Sequence, residues 1–301
     1  MNSPDKAMPI LVAIDGSESA LRAAHWAAAE ASRRGRGLSI VHAYDWPLPN
    51  YGPAIVDPAV LHESVVSTAQ TTLAAAVAAV TEAAPELPVA AEIVRGPAVT
   101  ALLGLSRRAE LLVLGSRGLG GFSGLLVGSV AVALVAHGHC PVVVVRGDPS
   151  APGAPVVVGI DGSPASEMAL ALAFDEAASR GCDLVAVHTW TDTTVPFGLG
   201  GLGGGHGQAL DWTPLAEQAE KLLVESLTGW HEKYPGVTVR RVVERDRPAS
   251  ALLDAGRDAQ LLVVGSRGRG GFTGLTLGSV SQALIHHASC PVMIARANGG
   301  E

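Results

Sequence analysis

The residues that could do chemistry fall into two matching sets. Asp15 ends the run Pro9-Ile-Leu-Val-Ala-Ile-Asp15-Gly-Ser17, and Asp161 ends Pro155-Val-Val-Val-Gly-Ile-Asp161-Gly-Ser163. A glycine-rich stretch, Gly115 to Ser129, returns as Gly265 to Ser279 with the spacing Gly-x2-Gly-x9-Gly-Ser. The spaced residues are Gly115, Gly118, Gly128 and Ser129 in the first stretch, and Gly265, Gly268, Gly278 and Ser279 in the second. Glycine lets backbone N–H groups approach an anion closely. A helix start adds unpaired N–H donors and the positive end of the dipole. The expected chemistry is therefore a phosphate cradle. Ser116, Gly120, Gly121 and Val130, with Ser266, Gly270, Gly271 and Val280, belong to the same candidate cradles.

Arg117 and Arg267 lie inside the turns and would bring positive charge to a phosphate, although arginines in exposed loops are commonly just solvated. Each aspartate has two readings. Asp-Gly-Ser is good turn and capping chemistry; a carboxylate there can also accept hydrogen bonds from a base or ribose, or hold a divalent ion against phosphates. The turns contain no Gly-Lys-Ser/Thr and are not Walker loops. They also follow a late strand, whereas the dinucleotide fingerprint follows the first. No Ser/His/Asp order, paired-carboxylate arrangement or HExxH is present, so the sequence predicts a binding protein and not an enzyme of hydrolytic or covalent catalysis.

Histidines and cysteines carry weaker signals. His42 and His188 end second strands and read as structural residues. His137, His139 and Cys140, or His286, His287 and Cys290, differ in spacing between the copies and span a helix end and a strand start. A structural zinc site needs about four convergent ligands, so no metal is expected there. The three cysteines, with Cys182, read as buried thiols in a reducing compartment.

These sets need elements to hold them, and the chain supplies the elements twice. The carboxylates and the strand-2 motifs Val41-His42 and Val187-His188 recur 146 residues apart (161 − 15), and the glycine turns 150 apart (265 − 115). Twelve of sixteen residues from Gly115 to Val130 match Gly265 to Val280, which marks a tandem duplication. Domain 1 is expected over 1–146 with its repeat beginning near Pro9, a Pro/Gly/Ser linker over 147–154, and domain 2 over 155–301 with its repeat ending near Arg296. Copy 1 reads as strand Ile10–Ile14, helix Ala20–Arg34 capped by Ser17 or Ser19 and stopped at Gly35, strand Leu38–Ala43, helix Ala59–Ala83, strand Val89–Val94, a helix from Pro97 to about Arg108, strand Leu111–Leu114, a helix to about His137, and strand Val142–Val145. Continuous Val/Ile/Leu strands are buried on both faces, which calls for a parallel sheet covered by helices, an open doubly wound α/β fold. Asp15 past strand 1 and Gly115 past strand 4 would then face one crevice at the switch point, and Asp161 and Gly265 likewise. In copy 2 the glycine-rich run Phe197–Gly207 reads as a mobile flap or tolerated insertion, with a ligand-covering lid as the alternative.

At 301 residues, 48% hydrophobic and 16% charged, the chain is globular and about two domains long. A net charge of −7 with three lysines excludes phosphate-neutralising nucleic-acid binding. No signal-like N-terminus or apolar run of membrane-spanning length is read, so neither membrane nor nucleic acid is an expected partner, and the expected location is the cytoplasm.

With its two intact Gly-x2-Gly-x9-Gly-Ser patterns and Ile-Asp-Gly-Ser after each first strand, the chain resembles the universal stress protein family, specifically the tandem, ATP-binding, actinobacterial type. The resemblance covers about 9–146 and 155–296. It implies two Rossmann-like domains of the adenine nucleotide alpha hydrolase kind, each an open five-stranded parallel sheet of order 3-2-1-4-5. It also implies two ATP per chain, possible Mg2+, adenine framed by backbone at Val41–Ala43 and Val187–Thr189, and phosphates on the glycine turns. Ala13 stands where copy 2 has Gly159, which would make the first pocket tighter and the second better formed. The last strands, Val142–Val145 and Val292–Ala295, are the expected pairing edges, within the chain or in a homodimer. The implied role is ATP-linked stress regulation through conformation or a protein partner, with at most slow ATP hydrolysis; the alternative is a nucleotide-dependent enzyme of slow ATP hydrolysis or phosphoryl or adenylyl transfer.

Overall fold

The structure, a computed structural model, describes residues 8–45, 58–119, 127–147, 153–190, 212–245, 247–269 and 277–296. The glycine-rich run 197–207 lies outside them. Copy 1 runs β1 (Ile10–Ile14), α1 (Glu18–Arg34), β2 (Leu38–Tyr44), α2 (Pro58–Ala83), β3 (Val89–Arg95), α3 (Ala98–Ser106), β4 (Leu111–Gly115), α4 (Ser129–His137) and β5 (Val142–Val145). Copy 2 runs β6 (Val156–Gly159), α5 (Pro164–Arg180), β7 (Leu184–Trp190), α6 (Thr213–Leu227), a short α7 (Trp230–Lys233), β8 (Val239–Arg245), α8 (Pro248–Ala255), β9 (Leu261–Gly265), α9 (Ser279–His287) and β10 (Val292–Ala295).

The chain forms two compact units, Met1–Asp148 with Ile285–Glu301, and Pro149–Leu284. In the first, the strands lie in the order β3-β2-β1-β4-β5-β10. The five strands of copy 1 are parallel, with Ala13 opposite Val41 and Val113 opposite Val143. β10 adds an antiparallel strand, Met293 opposite Val143, so the two last strands pair with each other inside one chain. The second unit repeats the order as β8-β7-β6-β9, again parallel. Both copies reverse strand order between their first and fourth strands, and the chain crosses over to opposite faces there.

Alanine explains how α1 lies so close to the sheet. Ser17 accepts from Ala20 N (3.2 Å) as the N-cap, and Gly35 closes the helix in the left-handed conformation. Ala20, Ala23, Ala24, Ala27, Ala28 and Ala31 are all buried, and the small face packs on β1 and β4. The same face buries Glu30 completely, held by Arg33 at 2.6 Å and Arg34 at 2.5 Å. In α5 the equivalent Glu176 is equally buried and meets Arg180 at 2.8 Å.

Two capping arginines tie the C-terminal segment into the first unit. Arg146, just past β5, donates to Ile285 O, and Arg296, just past β10, donates to Val135 O (2.9 Å) and to Ala136 O. Both supply cations to the orphan carbonyls of a helix end.

One expectation needs correcting. The stretch Ala59–Ala83 is long and apolar enough to cross a membrane by length and composition, with a mean hydropathy of 1.3. Its Ser, Thr and Gln residues hid this when apolar runs alone were sought. Ala69, Leu73, Ala76 and Val80 are buried at helical spacing, and the helix packs on β2, β3 and α1.

Candidate functional site

Each carboxylate closes a staple between the end of the first strand and the glycine turn. Asp15 Oδ1 accepts from Ser17 N (3.0 Å) and Oδ2 from Leu119 N (2.8 Å). Asp161 Oδ1 accepts from Ser163 N (2.9 Å) and Oδ2 from Arg269 N (3.0 Å). The turn reading holds locally, but the helix caps are Ser17 and Ser163, while each aspartate also reaches more than a hundred residues along the chain. Burial alone would push the Asp161 carboxyl up, but the hydrogen bonds from Ser163, Arg269 and Ser166 outweigh it and hold it below the usual carboxylate range.

The staple requires glycine opposite. A Cβ on Gly118 would land on Asp15 Oδ2, and a Cβ on Gly268 on Asp161 Oδ2. Gly115 faces Ser19 backbone, and Gly265 faces Ala165, at 2.7 Å and 2.8 Å from a would-be Cβ. Further along, Gly128 N donates to Ser116 O (2.9 Å) and Gly278 N to Ser266 O (2.8 Å), fixing where α4 and α9 begin.

Beside each staple is a cavity, about 440 Å³ in copy 1 and about 610 Å³ in copy 2. Of the sequence candidates, Ala13, Asp15, Ala43, Gly115, Arg117, Gly118, Gly128, Ser129 and Val130 lie on the first wall. Gly159, Asp161, Val187, Thr189, Gly265, Arg267, Gly268, Gly278, Ser279 and Val280 lie on the second. Gly120, Gly121, Gly270 and Gly271 lie outside the described residues. The first turn of α4 opens into the cavity, and α9 does the same. Early helical N–H groups have no partner inside the helix, so each cavity receives donors and the positive end of a dipole.

Three candidates are off the walls. Val41 pairs with Ala13, whose methyl the cavity meets in its place, whereas Val187 pairs with Gly159 and stays on the wall. Ser116 and Ser266 are buried just past their strands and line neither cavity, Ser116 Oγ lying 3.4 Å from Ser19 Oγ. The structure adds Ala98 and Leu102 from α3, and Pro248 and Leu252 from α8. Their spacing of four on one helix face was visible in the sequence, but nothing said which face of these short helices turned toward the crevice. Arg269 also reaches the second wall.

The histidines divide. Buried His188 bonds through Nδ1 to Ile160 O (2.7 Å). His42 stands equivalently beside Ile14, but its buried Nδ1 has no partner in hydrogen-bond geometry. Burial pushes His42 below its ordinary value, opposed by the nearby Ile14 carbonyl and Asp15. Neither lines a cavity. Cys140, Cys182 and Cys290 are buried free thiols, and burial raises Cys140 and Cys290 to about 12. Among the described residues no group of three His, Cys, Asp or Glu could hold a metal.

The model of the universal stress protein family matches residues 7–146 and again 154–296. Universal stress protein Rv2623 of Mycobacterium tuberculosis is 40% identical over 316 residues, covering 98% of this chain and 99% of its own. Rv2005c of the same organism is 42% identical over 303 residues, with 98% and 99% covered. The chain belongs to the universal stress protein family. The crystal structure of a universal stress protein from Archaeoglobus fulgidus superimposes with a TM-score of 0.62 at 19% identity, covering 97% of this chain and 98% of that one. At that identity the likeness speaks for the fold alone: a Rossmann-like α/β architecture in tandem. The universal stress protein pattern Gly-x2-Gly-x9-Gly-Ser thus coincides in both copies with a stapled turn and a cavity.

Proposed function

We propose that the chain is a cytoplasmic nucleotide-binding regulator that takes one ATP in each copy. The observation that carries this reading is the repeated staple: a carboxylate ending the first strand fixes the glycine turn after the fourth, and an open helix N-terminus faces the same cavity. Helix starts of this kind favour phosphate. The apolar part of each wall, Leu102 and Leu114 in copy 1 and Leu252 and Val264 in copy 2, suits the flat face of a base. Cavities of this size lie within the usual range for small-molecule sites, roughly 300–1,000 Å³.

Each cavity supplies one carboxylate, whose two oxygens keep lone pairs beyond their N–H bonds. That suits Mg2+, which is commonly held by one or two carboxylates together with substrate phosphates and water. Asp15 and Asp161 would hold it, and it would screen the phosphate charge. The described walls carry no histidine or lysine to act as a base or phosphate clamp, which favours retention of the nucleotide over its turnover. Regulation would follow from linkage: a ligand shifts conformation or partner binding by its differential affinity for the two states. In the homodimer alternative, β5 is already covered by β10, which argues for pairing through some other surface.

The test is direct. The protein as purified is denatured, and released nucleotide is identified by chromatography and counted. About two adenine nucleotides per chain are expected. None released, together with no heat of binding at millimolar ATP and magnesium, would overturn the reading.

A further inference from the structure

The two pockets share a backbone but differ at the residue that follows the second turn glycine, Leu119 in copy 1 and Arg269 in copy 2. In both copies its N–H does the same work, donating to the carboxylate of the staple. The backbone therefore presents both side chains from equivalent points. Leu119 is 72% exposed, lies with its Cδ1 against the strand-1 turn at Gly16 and is not part of the cavity wall. Arg269 lines the mouth of its cavity, with the guanidinium against the strand-1 turn: a Cβ on Gly162 would collide with it. With Arg267 on the same wall, copy 2 lines its cavity with two arginines and copy 1 with Arg117 alone.

The other exchanges do not supply comparable attraction for an anion. Ser166 and Ser281 replace Ala20 and Ala131, but their hydroxyls donate to Ser163 O (2.9 Å) and Gly265 O (2.7 Å). Gly159 in place of Ala13 and Thr189 in place of Ala43 alter room and polarity without adding charge. Each phosphate added to a nucleoside brings further negative charge and oxygens suited to the planar fork of an arginine. The larger cavity, about 610 against 440 Å³, leaves space for them.

We propose that the second pocket is selective for nucleoside triphosphates, with Arg269 as its specificity-determining residue, while the first binds adenine nucleotides with much less regard to phosphate number. The proposal rests on the nucleotide reading above. One chain would then hold a pocket that responds to triphosphate beside one that responds to the total adenine nucleotide pool.

Calorimetric titrations of the full chain with ATP, AMP and inorganic tripolyphosphate test it. Gly118→Ala blocks the first pocket and isolates the second; Gly268→Ala does the reverse. The ATP/AMP affinity ratio is expected to be about tenfold larger in the second pocket, the scale of one additional charged hydrogen-bonding group. Arg269→Leu should remove that difference by weakening ATP while leaving AMP unchanged, Arg269→Lys should retain part of it, and Leu119→Arg should raise the ratio in the first pocket. Tripolyphosphate should compete at the second pocket more strongly than at the first. Equal ratios in the two pockets, or an Arg269→Leu protein that loses ATP and AMP alike, would overturn the proposal while leaving the nucleotide reading intact. A wild-type chain that binds neither nucleotide overturns both.

Discussion

Asp15 receives the N–H of Leu119 at 2.8 Å, and Asp161 receives that of Arg269 at 3.0 Å, yet the cavities beside them measure about 440 and 610 Å³. The staple is the same object in both copies; the lining is not. The contrast separates two kinds of constraint. Backbone donors, a carboxylate and a glycine with no room for a Cβ depend on one another, so changing one disables the others. The wall residues are bound by fewer such dependences and differ: Ala13 against Gly159, Ala43 against Thr189, and Arg269 on the second wall where Leu119 is off the first. On the proposed reading, what the copies hold in common would accommodate a phosphate, and what they do not share would set which nucleotide each prefers.

The comparison breaks first if the copies are not held by the same frame. Glu30 and Glu176 are fully buried against arginines. Removing one partner of a buried pair costs about 3–5 kcal/mol, because a charge is left uncompensated. Glu176→Ala and Glu30→Ala should each lower the unfolding free energy, Glu30→Ala by less, because Arg34 keeps Glu110 at 3.0 Å and Arg33 is partly exposed. A Glu176→Ala protein as stable as the wild type in urea would show that the copies are framed differently, and the pockets could not then be compared as variations on one scaffold.

Next in size is the staple. Gly118→Ala and Gly268→Ala each put a methyl onto a carboxylate oxygen, and overpacking of this kind costs about 1–3 kcal/mol. Each should reduce nucleotide binding in its own pocket by roughly tenfold or more and leave the other pocket unchanged. At free nucleotide equal to the wild-type dissociation constant, the amount bound per chain in equilibrium dialysis should fall from about one to about 0.6. Two undiminished sites would mean that the turn is not where the ligand is held.

A smaller change sharpens the contrast in the linings. A Cβ on Gly159 would sit 3.0 Å from Leu252 Cδ1 and 3.1 Å from Val264 Cγ1, so Gly159→Ala should narrow the second cavity, cover Val187 and weaken binding there by about three- to fivefold, less than 1 kcal/mol. Ala13→Gly should move the first pocket the other way. If neither substitution changes affinity, the volume difference is irrelevant to the ligand.

The sequence made the shared features legible and the differing ones obscure, for the same physical reason. Repetition exposed Asp15, Gly118 and Ser129 with their partners, since interdependent residues keep their spacing, and β strands of continuous Val and Leu disclosed the parallel sheet. Val41 looked equivalent to Val187, but a single methyl on its cross-strand neighbour Ala13 takes it off the wall. The contributions of α3 and α8 depend on helix rotation, which apolar composition does not encode. Arg269 lay in plain view within the turn, but that its side chain would lie over Gly162, as Leu119 lies over Gly16, and there join the cavity lining is a tertiary fact.

The smallest effect concerns acid. Asp161 sits below its ordinary pKa because hydrogen bonds from Ser163, Arg269 and Ser166 outweigh the upward push of burial. Its unfolded value is about 3.9. A depressed folded value means the unfolded chain takes up the proton first, so the stability Asp161 contributes is complete above about pH 5 and is lost as pH falls through the unfolded and then the folded value. Urea unfolding of the wild type against Asp161→Asn should show a gap that is constant from about pH 7 to 5 and shrinks below about pH 4. A gap that begins to close near neutrality would mean that the carboxylate is not charged and stapled as drawn, and that the second glycine turn is held by something else.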